Sequence, residues 1–160
     1  MAPPAALAVL CVEDNPVNLL LVHELLAMRP RLRVFAAIDG HSGIQTGLQC
    51  RPQIALLDLQ LPDIDGVDVL RRLRAEPALA DCAFVALSAN AMPADIDAAL
   101  AAGFDEYWTK PIDFGRFLVG IDRLVERADR RRVDHADRLP GDGAGRRPGD
   151  DGEAGQQGGP

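Results

Sequence analysis

Five short apolar runs recur along the chain: LAVLCV at 7–12, LRVFAA at 32–37, IALLD at 54–58, AFVALS at 83–88 and EYWT at 106–109. Runs of this length bounded by polar and turn residues read as strands buried on both faces. Between them, 16–28, 40–50, 66–75 and 94–102 carry helical spacing, and a further helix closes the set from 112 to about 130. Leu19, Leu20, Val22, Leu25 and Leu26 give the first helix a broad apolar face, as Val67, Val69, Leu70 and Leu73 do for the third. Pro77, Pro93 and the glycines at 40, 66 and 103 mark the joins. Strict alternation of strand and helix implies an α/β fold: a five-stranded parallel, doubly wound sheet with helices on both faces.

The periodicity then stops. The stretch 131–160 replaces it with Gly, Pro and mixed charge, which cannot bury enough surface to offset its ordering entropy, so 1–130 is read as one domain and 131–160 as a disordered tail. Acids interrupt the tail's arginines, which favours a solvated linker over a nucleic-acid arm. The formal net charge of -7 points the same way, because an acidic domain holds phosphate backbones poorly. The 3 cysteines, at 11, 50 and 82, form no paired motif, which fits a reducing cytosol better than a disulfide framework or a zinc site. No segment has the length and apolarity of a membrane span, and the N-terminal apolar run lacks a basic flank, so a cytoplasmic protein without signal peptide is expected.

In a parallel sheet the C-terminal ends of all strands meet at one edge, where ligands bind. The residues delivered there are Glu13 and Asp14 after the first strand, Asp58 at the end of the third, Ser88 at the end of the fourth and Lys110 after the fifth. The first turn, VEDNPVN, has carboxylates where a nucleotide site needs glycines. Two unit charges about 4 Å apart repel by roughly 4 kcal/mol at an effective dielectric near 20, so clustered acids require a counter-ion or a shifted pKa. A hard, oxygen-seeking ion such as Mg2+ answers that requirement. Taken singly, each residue has a plainer reading: Asp14 or Asn15 as a helix cap, Ser88 as a strand-end hydroxyl. Asp58 is the hardest to read plainly, since it ends an apolar strand and needs a partner. Lys110 supplies one, and it is the single lysine among 17 basic residues. A lysine carries a compact ammonium on a flexible stem where arginine demands a planar, bidentate fit. Pro111 supports a sharp turn behind it and permits a cis peptide bond.

VEDNPVN at 12–18, LLDLQLPDIDG at 56–66, ALSAN at 86–90 and YWTKPI at 107–112 together resemble the receiver domain of two-component response regulators. The wording of VEDNPVNLLLV and ALSANAMPADI is most similar to receivers of hybrid sensor histidine kinases. The resemblance covers about 7–127 and implies a flavodoxin-like sheet in the order 2-1-3-4-5. It implies that Asp58 accepts a phosphoryl group from a phosphohistidine on a sensor histidine kinase or histidine phosphotransfer protein. It further implies that Glu13, Asp14, Asp58 and the carbonyl of Gln60 hold Mg2+, that Lys110 pairs with the phosphoryl group, that Ser88 hydrogen-bonds it, and that Tyr107 is the switching aromatic. The face of helix 4, strand 5 and helix 5 would then change for an unidentified downstream protein. Monomer and homodimer both stay open, as do a stand-alone receiver and a fragment of a hybrid kinase.

Two other classes compete. One is a phosphorylation-independent interaction module, which such sequences become by losing the acidic pair, the acceptor or the lysine; every one is present here. The other is a metal-dependent phosphatase or nuclease pairing Glu13 with the aspartates of DID at 63–65. Trp108 has packing as its plain role and a reporter of switching as its functional one.

Overall fold

The computed structural model describes residues 5–138. Strands β1 (Leu7–Val12), β2 (Leu32–Ala37), β3 (Ile54–Asp58), β4 (Ala83–Ser88) and β5 (Glu106–Thr109) alternate with helices α1 (Pro16–Ala27), α2 (Gly40–Cys50), α3 (Gly66–Arg74), α4 (Pro93–Ala102) and α5 (Phe114–Arg138). A short 3-10 turn, Pro77–Leu79, precedes β4. All neighbouring strands are parallel, in the order β2-β1-β3-β4-β5. The strand and helix reading of the sequence and its doubly wound fold class are therefore borne out.

Strand alternation sorts the core into two layers. Leu10, Val12, Ala55, Leu57, Phe84 and Ala86 face Ile44, Val69, Leu70, Leu73, Ala99 and Phe104 from α2, α3 and the α4 end. Val9, Cys11, Ile54, Leu56, Val85 and Leu87 face Val22, Leu25, Leu26, Phe117, Ile121 and Leu124 from α1 and α5. A strand covered on both sides must be apolar at every position, which is why no alternation shows in these runs. β3 and β4 are buried throughout, but β2 and β5 are only half-buried, against the expectation that all five strands are enclosed. Each edge strand has a neighbour on one flank alone. Leu20 also departs from its expected face and is 61% exposed. It lies about 200° around α1 from Val22, so both cannot meet the sheet.

Helix starts follow local chemistry. The Asn15 side chain accepts from the amides of Val17 and Asn18 ahead of Pro16, and Asp39 and Asp65 accept from Ser42 and Val67 at the starts of α2 and α3. The end of α5 does not follow the expected boundary at 130. The helix continues to Arg138, because 131–138 contains neither Gly nor Pro and its arginines find partners: Arg131 pairs with Asp81 and Arg132 donates to the Ala6 carbonyl. The remainder of the proposed tail, 139–160, lies outside the described residues. Among the described residues no helix is long and apolar enough to cross a membrane.

Candidate functional site

The strand ends meet as the topology requires. Glu13, Asp58 and Ser88 are the buried polar residues of the described chain. β1 continues its ladder one residue beyond Val12, since the Glu13 amide donates to the Ala37 carbonyl of β2 at 3.0 Å. That bond keeps the Glu13 backbone in the sheet, and its side chain is buried. Asp58 closes β3, and its backbone is crowded by the turn into α3. A Cβ at Gly66 would stand 2.3 Å from the Asp58 carbonyl oxygen, so only glycine lets the two segments approach this closely.

Lys110 joins the two buried acids. Its amide donates to the Ser88 carbonyl at 2.8 Å, fixing the base of the side chain beside β4. The stem then crosses the end of β4, and Nζ donates to Glu13 Oε2 at 2.6 Å and Asp58 Oδ2 at 2.9 Å. The Lys110–Pro111 peptide is cis. The remaining carboxylate oxygens are also held: the Asn15 amide donates to Glu13 Oε1 at 3.2 Å and the Gln60 amide to Asp58 Oδ1 at 2.9 Å. Burial pushes the Glu13 carboxyl above its usual range, against the pull of Lys110, and the nearby Asp58 charge adds to the rise. Burial alone would lower the Lys110 ammonium, but its bonds to Glu13 and Asp58 outweigh that and raise it, so the cation persists.

Asp14 is exposed at the rim. Glu13, Asp14 and Asp58 each offer an oxygen, and these atoms lie within 4.8 Å of one another. Three carboxylates against one ammonium leave an excess of negative charge, and an all-oxygen donor set suits a hard divalent ion, so these residues fit Mg2+. Gln60 reaches the cluster through its backbone; its side chain is exposed.

Ser88 is buried beside this cluster, and its Oγ accepts from the Asn90 amide at 3.1 Å. Tyr107, in register with Ala86, donates its hydroxyl proton to the Asn90 carbonyl. Asn90 thus links the strand-end serine to the aromatic. Its side chain also receives the Met92 amide at 3.0 Å and donates to Asp95 at 2.6 Å, organising the start of α4. Sequence reasoning did not single out Asn90. The available signal was an Asx residue in the loop between a strand-end serine and a proline-led helix. Beside Tyr107, a groove of about 770 Å³ runs between β5 and α5, with Thr109, Ile112 and Val119 among its lining residues.

The aspartates of the DID stretch do not join the acidic cluster. Asp63 accepts from the amides of Gly40 and His41 at the start of α2, and Asp65 accepts from Val67 at the start of α3. Both act as helix caps, which removes the geometric basis for pairing them with Glu13. Trp108 packs edge-on against Phe117, with centroids 5.5 Å apart, and a Cβ at Gly120 would lie 2.6 Å from its ring.

A parallel doubly wound sheet carrying a lysine-bridged acid cluster at its C-terminal edge defines a class, and comparison with known proteins agrees with it. A family model described as the response regulator receiver domain matches residues 9–122. The transcriptional regulatory protein CseB of Streptomyces coelicolor is 42% identical over 119 residues, which cover 74% of this chain and 49% of that protein. The sensor protein GacS of Pseudomonas syringae pv. syringae is 38% identical over 107 residues, covering 65% of this chain and 12% of GacS. Among solved structures, the receiver domain of a Pseudomonas aeruginosa PAO1 sensor histidine kinase, with magnesium coordinated in its active-site cleft, superimposes with a TM-score of 0.69. It is 30% identical, and the match covers 76% of this chain and 99% of that one. The chain belongs to the response regulator receiver domain family of two-component signalling. It spans about half the length of CseB and a small part of GacS.

Proposed function

We propose that this receiver is the phosphoacceptor of a two-component phosphorelay, with Asp58 taking a phosphoryl group from a phosphohistidine on a sensor histidine kinase or histidine phosphotransfer protein. The observation that carries this reading is the buried Asp58 carboxylate 2.9 Å from the Lys110 ammonium, with Glu13 and Asp14 beside it. A carboxylate so placed is a nucleophile able to form an aspartyl phosphate. Glu13, Asp14, Asp58 and the Gln60 carbonyl would hold Mg2+, which when bound supplies positive charge to the phosphoryl oxygens.

The chain's own residues do the positioning. The Gln60 amide keeps the Asp58 carboxylate oriented, while Lys110 can transfer one of its hydrogen bonds from Asp58 to a phosphoryl oxygen and so neutralise charge as it develops. The Ser88 hydroxyl accepts from Asn90, which leaves its own proton available for the phosphoryl group. A shift of Ser88 acts on Asn90 and thence on Tyr107, whose hydroxyl donates to the Asn90 carbonyl. Phosphorylation would in this way bias a two-state element and alter the face of α4, β5 and α5 for a downstream protein.

The test is intact mass after incubation with acetyl phosphate and Mg2+, and separately with a phosphorylated histidine donor domain. The wild-type chain is expected to gain one phosphoryl group that is lost with EDTA, released by hydroxylamine and absent in Asp58→Asn. If neither donor modifies the wild-type chain, the acceptor reading fails and a phosphorylation-independent interaction module takes its place.

A further inference from the structure

We propose that Asp63 is a positioning residue for the metal half of the site, tying the β3–α3 loop that carries Gln60 to the start of α2. This rests on the acceptor reading above and extends it to a residue outside the cluster. Both Asp63 oxygens are committed to amides 23 and 22 positions away: Oδ1 accepts from the Gly40 amide at 2.7 Å and Oδ2 from the His41 amide at 2.8 Å. The His41 ring nitrogen Nε2 lies 3.9 Å from the same Oδ2. The first amides of a helix have no partner within it, so an acceptor from elsewhere in the chain can hold them. α2 already has a cap of its own in Asp39, which takes the Ser42 amide at 2.8 Å. A second carboxylate arriving from the β3–α3 loop therefore does more than start the helix; it anchors the loop.

The anchor is tightly made. A Cβ at Gly40 would stand 2.3 Å from Ile64 Cγ1, so the loop is pressed against the helix end directly beside the Asp63 bonds. At its base the same loop is closed by the Gly66 amide donating to the Leu59 carbonyl at 3.2 Å. Gln60 lies between these two pins, with its amide on Asp58. The start of α2 also follows Ala37, whose carbonyl accepts the Glu13 amide. One helix end thus connects both sides of the cation site, Glu13 through Ala37 and Gln60 through Asp63. Loss of the Asp63 bonds would remove the polar tie between loop and helix, leave the loop held by its base and by the packing of Leu61 and Ile64, and loosen Gln60 over Asp58.

The full-length chain would be studied as wild type, Asp63→Ala, Asp63→Asn and Asp39→Ala. Three readouts apply: Mg2+ affinity by calorimetry without phosphodonor, hydrogen exchange at Gly40, His41 and Gln60, and phosphoryl gain at limiting and saturating Mg2+. Asp63→Ala is expected to weaken Mg2+ binding about tenfold, in keeping with the loss of an outer residue that orients a ligand. It should speed exchange at Gln60 as well as at Gly40 and His41, and slow phosphorylation at limiting Mg2+ with recovery at saturation. Asp63→Asn keeps one acceptor oxygen and should fall between, while Asp39→Ala uncaps α2 and should leave Mg2+ affinity within about twofold of wild type. The proposal is overturned if Gly40 and His41 lose protection in Asp63→Ala or Asp63→Asn while Gln60 exchange and Mg2+ affinity stay as in wild type. It is equally overturned if Asp39→Ala weakens Mg2+ as much as Asp63→Ala. Wild-type protein that binds Mg2+ but takes no phosphoryl group from either donor would sink the acceptor reading and leave Asp63 to be judged on the Mg2+ and exchange data.

Discussion

At Lys110 a single side chain bridges two buried acids. An ammonium can donate in several directions from one small volume, and here two of its bonds go to carboxylates from strands that are not its neighbours. Asp63 shows the same economy with the opposite sign. Burial would raise its carboxyl, but the amides of His41 and Gly40, with those of Ile64 and Asp63 itself, outweigh that and bring it down from 3.8 to about 2. A folded-state pKa below the unfolded one contributes stability that is present above the unfolded value and is lost as pH falls through the folded value. The stability difference between wild type and Asp63→Asn should therefore be constant above about pH 5 and shrink between 3.8 and about 2. Urea unfolding of both proteins across that range checks it; a difference that grows on acidification would refute the assignment.

Among the connecting elements, the β3–α3 turn is the most constrained, because backbone meets backbone there. A methyl group at position 66 would meet the Asp58 carbonyl and, at 2.8 Å, the Leu59 Cα, neither of which can rotate away. Gly66→Ala is expected to cost at least about 1–3 kcal/mol in urea unfolding, the usual range for overpacking, and to reduce phosphoryl gain by displacing Gln60. Gly40→Ala meets side-chain atoms of Ile64 rather than backbone, so its cost should be the smaller of the two. Equal losses for the two variants would show that the turn yields more readily than its contacts indicate.

Over the whole molecule, α5 is held against the rest by charge as well as by its apolar stripe. Arg29 forks onto Asp122 and Arg31 onto Asp129, joining α5 to the segment between α1 and β2. Beyond Ala128 no buried apolar residue follows within the helix, and Arg131 and Asp81 are both well exposed. Exposed pairs contribute little, so a chain ended after Arg130 should be less stable than one ended after Arg138 by under about 1 kcal/mol. A thermal melt should fall by less than about 4 °C for a domain of this size. Phosphoryl gain should be unchanged, since the acid cluster sits at the other edge of the sheet. A fall well beyond that would place 131–138 among the residues the core requires.

What the sequence by itself determined is what short-range pattern can encode. Runs such as IALLD and AFVALS specify enclosed strands because a strand covered on both faces has no place for a polar residue before its end. Once all strands run parallel, Glu13, Asp14, Asp58, Ser88 and Lys110 arrive at one edge without further information. Only the tertiary structure decided matters of distance and supply of partners. β2 and β5 are half-open because they fall at the sheet margins, and Leu20 faces outward because α1 has more leucines than contact surface. α5 outruns its expected end because Asp81 and the Ala6 carbonyl, remote in sequence, wait beside it. Asp63 and Asn90 acquire their roles from amides and hydroxyls that the fold brings to them. Hydrogen bonds between distant segments leave no periodicity in the chain, so they emerge only when the segments meet.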